Sequence, residues 1–400
     1  MSVSVGVTVK PKRFLPFLLF QSKRLPHPGP RSQSLAFTFC LLLTPYCLLL
    51  LTSCKDVGVL PNRILGPDTT SHNFIWQIDT LGDGNSSVLN DVFIIDENNI
   101  WAVGEIYLKD TSGQFDSNAY GFAVWDGAKW NLRRHTAVGP TGNISNLRPR
   151  GVFAFSSTDV WFASGGVFHW NGQTVTSYWI NDFPGNPSPI LSPGQTAEGI
   201  WGASSSDLYA VGLAGAMAHF DGILWQKRES GTTLPLNDIW GTKDLSSGIG
   251  EILCVASNKY LDEGKKVLRI TGSTVTSIAD TGLSWGISGV WFTMSGPYYV
   301  VGAGVGRKSI LDTTSWKVSG PQEITTYFSN AIRGNNQNDI VVAGAFGEIV
   351  HYNGSSWKSF LTQTAMANGT FYSVAFKGSI IVSVGQVGNR AVVAKGKRIE

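Results

Sequence analysis

Residues 199–225 read GIWGASSSDLYAVGLAGAMAHFDGILW, three apolar runs cut by two polar breaks. Gly199-Ile200-Trp201 opens the stretch, Ser204-Ser205-Ser206-Asp207 precedes Leu208-Tyr209-Ala210-Val211, and Asp221-Gly222 precedes Trp225. Serine, asparagine and aspartate bond their own backbone in tight turns, so Asp207 and its counterparts read as turn residues before catalytic ones. Asp-Gly favours positive φ and predicts the two-residue turn of a β-hairpin. With a further strand from Trp225, the unit is a four-stranded antiparallel sheet.

The opening phrase recurs at Asp91-Val92-Phe93, Gly151-Val152-Phe153, Asp238-Ile239-Trp240 and Gly289-Val290-Trp291, with weaker copies at Ala331-Ile332-Arg333 and Ser373-Val374-Ala375. Its aliphatic positions 92, 152, 200, 239, 290, 332 and 374 are 39 to 60 residues apart, near the length of a propeller blade. The first break returns at residues 156–159 and 335–339, and the second at Asp126-Gly127 with Trp130, Asn353-Gly354 with Trp357, and Asn171-Gly172 without a tryptophan. Seven starts predict an all-β, seven-bladed β-propeller of four-stranded blades over residues 73–400. The last unit stops after Ala391-Val392-Val393-Ala394, whereas Phe74-Ile75-Trp76-Gln77-Ile78-Asp79 stands before the first as an orphan fourth strand. That N-terminal strand is expected to complete the last blade from outside and close the ring, which removes exposed sheet edges.

In these motifs the units resemble seven-bladed propellers of the Asp-box and photosystem II assembly-factor type, within the WD40/YVTN-like group. The standard Asp-box has one residue between its aspartate and glycine and a Ser or Thr before the tryptophan. Here Asp221 and Gly222 are adjacent and Leu224 precedes Trp225, so sialidase activity is not carried over.

Forty-six glycines and 14 tryptophans agree with an all-β class. The net charge of +3 misleads: residues 1–53 hold six basic side chains and no acid, and 31 less 6 leaves 25 basic against 28 acidic. A protein without that segment carries −3, which argues against nucleic acid as a partner. The apolar run Leu35–Leu51 follows basic residues and precedes Thr52-Ser53-Cys54, the order of a secretory signal. A transmembrane anchor, the alternative, needs about 20 apolar residues, and this run is shorter and holds Pro45.

Leu51-Thr52-Ser53-Cys54 resembles the lipobox of bacterial lipoproteins. The resemblance implies cleavage before Cys54 and lipidation of its thiol, with residues 1–53 as signal peptide and 54–72 as a flexible tether. The expected address is the bacterial cell envelope, with the protein membrane-anchored by its lipid and monomeric. The leader is long and no second methionine precedes Met217, so the true start is expected downstream, at a non-methionine codon. Cys254, in an apolar run, reads as a buried strand residue.

Candidate chemistry is sparse. His169, His219 and His351 each precede an aromatic residue and Asp/Asn-Gly, but they belong to different blades, which keeps them from converging on one metal. His72 and His135 have no ligand-spaced neighbour. Gly302-Ala303-Gly304-Val305-Gly306 lacks the Gly-Lys-Ser/Thr of a phosphate loop and reads as a hairpin. Asp96-Glu97 and Asp262-Glu263 read as solvated turn residues. No catalytic residues, metal or cofactor are assigned.

Three long insertions stand out: Glu105–Ala119, Arg134–Pro149 and Ile180–Glu198. All are second-to-third-strand or blade-to-blade connections of blades one and two, so they are expected to crowd one sector of one face. Loops on a rigid scaffold carry binding surfaces, and Tyr107, Phe115, His135, Arg148, Trp179, Asp182 and Phe183 are the candidate binding residues. Neutral drift in loop length is the competing account. The expected function is a non-catalytic binding or scaffold module with a protein or glycan ligand. A carbohydrate-active hydrolase or lyase, which would need two carboxyl groups roughly 5 to 10 Å apart, is the alternative.

Overall fold

The computed structural model describes residues 69–243, 250–261, 264–294, 296–312 and 315–399. Cys54, the signal segment, most of the tether and Asp262-Glu263 lie outside them. Seven four-stranded antiparallel sheets follow one another, with innermost strands Gly84–Asp96, Gly151–Ser156, Thr196–Ser204, Leu236–Lys243, Ile287–Trp291, Ser329–Asn336 and Gly369–Lys377. All seven aliphatic repeat positions fall in these innermost strands. The protein is an all-β, seven-bladed propeller.

The ring closes as expected. Phe74–Leu81 pairs with Arg390–Arg398 along its whole length, from Phe74 opposite Arg398 to Leu81 opposite Ala391, as the outer strand of blade seven. Seven apolar clusters lie among the described residues, each shared by two adjacent blades. An open row of seven blades would have only six such interfaces, so the seventh, between blades seven and one, is the packing counterpart of the closing strand.

The repeated phrase works at these interfaces. Asp91 accepts the N–H of Val92 through Oδ1 and that of Val152, in the next blade, through Oδ2, both at 2.9 Å. Asp238 does the same with Ile239 and Val290. These two aspartates thus staple blade one to blade two and blade four to blade five, and Asn237 extends the second staple by donating to Ile287 O at 2.9 Å. The glycine after the phrase makes room for the previous blade: a Cβ on Gly241, behind Trp240, would sit 2.5 Å from the Trp201 ring, and one on Gly334, behind Arg333, 2.7 Å from Trp291.

The outer hairpins differ from expectation. Trp125 pairs with Trp130 and Phe220 with Trp225, so four residues form the loop rather than two. The reason is the side chain of the first: Oδ1 of Asp126, Asn171, Asp221 and Asn353 each accepts the N–H groups two and three residues on. Glycine supplies the positive φ, +96° at Gly127. Gly302 and Gly304 pair across Ala303, the expected hairpin. Cys254 is fully buried, and burial pushes its thiol well above the ordinary range.

Candidate functional site

Innermost strands of an antiparallel propeller all start at one face. There, Asn90, Asp91, Arg150, Glu198, Asn237, Asp238, Ser288, Asn330, Arg333 and Tyr372, from all seven blades, surround a polar funnel of ≈ 440 Å³ that also includes Lys259. Farther along the same strands the channel continues as an apolar cavity of ≈ 260 Å³ with Phe93, Phe153, Trp201, Trp240 and Phe376 in its wall. Asp91, Asp238 and Arg333 lie around the junction. Arg333 donates to Asp238 from both terminal nitrogens and lies over Trp240 at 5.0 Å.

Sequence reading offered no carboxylate pair, yet Asp91, Glu198 and Asp238 meet in this funnel. Their oxygens are committed: Asp91 also accepts from Ser373 Oγ at 2.6 Å, and Glu198 pairs with Arg150 at 3.0 Å and accepts from Thr196 at 3.0 Å. Burial raises the pKa of Asp91 and Glu198. Arg333 had a legible signal, since it takes the aromatic slot of its repeat. Lys259 had none, because a lysine beside a loop tip is ordinary in sequence.

The three insertions share one sector of the funnel face. Arg134 bridges to Asp116 and donates to Asn118 O, which ties the first two together. Trp179 Nε1 donates to Val138 O at 2.8 Å in the small hairpin Thr136–Val138 and Ile144–Asn146, which ties in the third. Arg148 meets Tyr107 Oη at 3.2 Å and Glu105 at 3.3 Å. Phe115 lies under Lys109, Trp179 packs on Phe183, and Asp182 is exposed. His135 goes elsewhere: its ring packs between Trp101, Phe122 and Trp170, with Nε2 buried, and desolvation lowers its pKa to about 4. It is placed as packing between blades.

The three repeat histidines stay in their own blades. His169 donates from Nε2 to Asp159, His219 to Asp207 and His351 to Asp339, at 2.8 to 2.9 Å. The turn aspartates therefore also hold the third strand. Among the described residues no His/Cys/Asp/Glu group is arranged for a metal.

His72 does find a partner, 279 residues away. Its Nδ1 lies 2.8 Å from Nδ1 of His351 and its Nε2 3.2 Å from Ser356 Oγ. Because His351 donates from Nε2, its neutral ring accepts at Nδ1 and His72 donates. Desolvation, chiefly, lowers the pKa of His72 to about 4. The order Ser, His, His, Asp resembles a hydrolase relay, and its contacts join the segment ahead of the closing strand to blade six. Thr70 reinforces this junction by bonding Asn338 O and Asp339 and pairing its backbone with Asn353. These partners lie in turns of the face opposite the funnel.

No family model and no curated protein matches the sequence. Solved propellers do. A structure of YCF48 bound to D1 peptide is 17% identical, covering 84% of this chain and 100% of that one with TM-score 0.58. YCF48 from Cyanidioschyzon merolae is 17% identical, with coverage of 80% and 98% and TM-score 0.51. The WD40 β-propeller domain of Doa1 is 10% identical, with coverage of 81% and 98% and TM-score 0.51. At these identities the likeness is one of fold, on a scaffold that serves many functions.

Proposed function

We propose that the protein is a non-catalytic binding propeller, held at the bacterial cell envelope by a lipid on Cys54, that takes a protein ligand on the funnel face. The observation that carries this reading is the convergence of inner-strand ends from all seven blades and the three joined insertions on one face. A rigid ring presenting its loops to one side suits recognition. The peptide held by the YCF48 neighbour supports a protein ligand over a glycan.

Affinity capture from envelope extracts, with the full-length protein beside a version shortened at Glu105–Ala119 and Ile180–Glu198, tests the face. Loss of protein partners from the shortened version is expected; identical partners would remove the insertions from the binding surface, and capture of glycan alone would reverse the ligand class. Cys54→Ala is expected to release the protein from membranes, and retention would point to a transmembrane anchor.

A further inference from the structure

Nearly every charge in the funnel is matched. Arg333 holds Asp238, Arg150 holds Glu198, and Asp91 is satisfied by two backbone N–H groups and Ser373. Lys259 is different. It lines the same cavity, half-buried and within the field of Asp238, and no described residue gives it a hydrogen bond or ion pair. Desolvation lowers its pKa and outweighs the opposing pull of the Asp238 carboxylate. A ligand anion would recover what that burial costs.

The residues around it suit an organic ligand. Tyr260 has φ +68°, where a bulky L-residue is an outlier; the residue is 66% exposed, and its ring rests on Phe328 at 4.6 Å. Held strain of this kind gathers at binding sites. Tyr372, 37% exposed and close enough to Tyr260 to oppose its ionisation, lines the cavity from blade seven. Arg150 and Arg333 are engaged by Glu198 and Asp238, so among the described residues Lys259 is the funnel cation left without a bonded partner, which suits a monoanion over a phosphate dianion.

We propose that Lys259 is the docking point for a single carboxylate of a peptide ligand, flanked by Tyr260 and Tyr372. The proposal rests on the funnel face being the binding face. The carboxylate can be the C-terminus of the peptide or an acidic side chain within it.

The test uses random dodecapeptides of Ala, Ser, Leu, Tyr and Gln, immobilised by their N-termini in three sets: free C-terminus, C-terminal amide, and C-terminal amide with one internal glutamate. The full-length protein is expected to retain one or both carboxylate sets above the neutral amide set, and the set retained identifies the source. Lys259→Gln, with an unchanged thermal midpoint, should reduce that retention about tenfold or more, and Lys259→Arg should keep most of it. Equal retention of all three sets by the wild-type protein overturns the carboxylate class. Undiminished retention by Lys259→Gln, together with loss in the loop-shortened version, overturns the docking point while the binding face stands. No retention of any set by any version overturns both.

Discussion

Asp238 in blade four receives Nη2 and Nη1 of Arg333 in blade six at 2.8 and 2.9 Å. Blade five lies between them, so the pair ties two blades that share no sheet, beside Trp240 of blade four, which packs against the apolar cluster of blades five and six. Burial opposes the guanidinium charge, but the Asp238 carboxylate more than compensates and leaves the Arg333 pKa above its ordinary value.

Arg333→Ala leaves Asp238 charged and partly desolvated, and should lower unfolding free energy by about 3 kcal/mol. Urea denaturation measures it. Asp238→Asn combined with Arg333→Leu should recover part of the loss, because no unpaired charge remains.

Phe74 is 7% exposed, and its ring meets His351, Phe360 and Phe376 at 5.2 to 6.2 Å. Phe74→Ala should cost about 3 kcal/mol and loosen the closing strand. Faster hydrogen exchange at Ile75–Leu81 than at Leu208–Val211 is the local readout.

Gly241→Ala places a methyl group 2.5 Å from the Trp201 ring of the neighbouring blade. The overpacking should cost about 1–3 kcal/mol. A lower thermal midpoint with altered tryptophan fluorescence is expected, and unchanged values would mean that blades three and four can separate at that point.

His72 and His135 both have pKa values lowered to about 4 from 6.5, chiefly by desolvation. A base with a depressed folded pKa binds fewer protons folded than unfolded, so its neutral burial is tolerated fully above pH 6.5. Stability should then fall as pH drops from 6.5 towards 4, by up to roughly 3 kcal/mol from His135. Thermal midpoints across that window test the sign, and His135→Phe should flatten the slope.

Asp159 accepts from Trp161 Nε1 at 2.8 Å, from His169 Nε2 at 2.8 Å and from Ser205 Oγ of the next blade. Asp159→Ala should cost about 1–3 kcal/mol. Zinc added to the wild-type protein should leave the thermal midpoint unchanged, because each repeat histidine is bonded within its own blade; a rise would show that the histidines find a shared ion.

Blade count and ring closure are readable in the sequence because they depend on local chemistry repeated seven times. An aliphatic-aromatic phrase marks each inner strand, an Asx-Gly break marks several outer hairpins, and the orphan strand at Phe74 matches the one missing after Ala394. The turn length departs from the two-residue expectation because φ preference alone does not reveal that an Asx side group will cap two N–H groups and so hold four residues. The joined insertions were foreseeable from loop position, whereas the inward turn of His135 needed the aromatic rings that receive it.

Sequence by itself therefore determined the architecture: an all-β ring of seven four-stranded sheets whose two ends meet in one blade. Tertiary structure alone decided which residues share the channel. Asp238 and Arg333 are 95 residues apart and His72 and His351 279 apart; no short-range pattern encodes either meeting. The physical reason is that strand pairing and turns are set by near neighbours, while the charge balance of the funnel, including Lys259, which no described residue pairs, exists only once seven separate strand ends are brought around one axis.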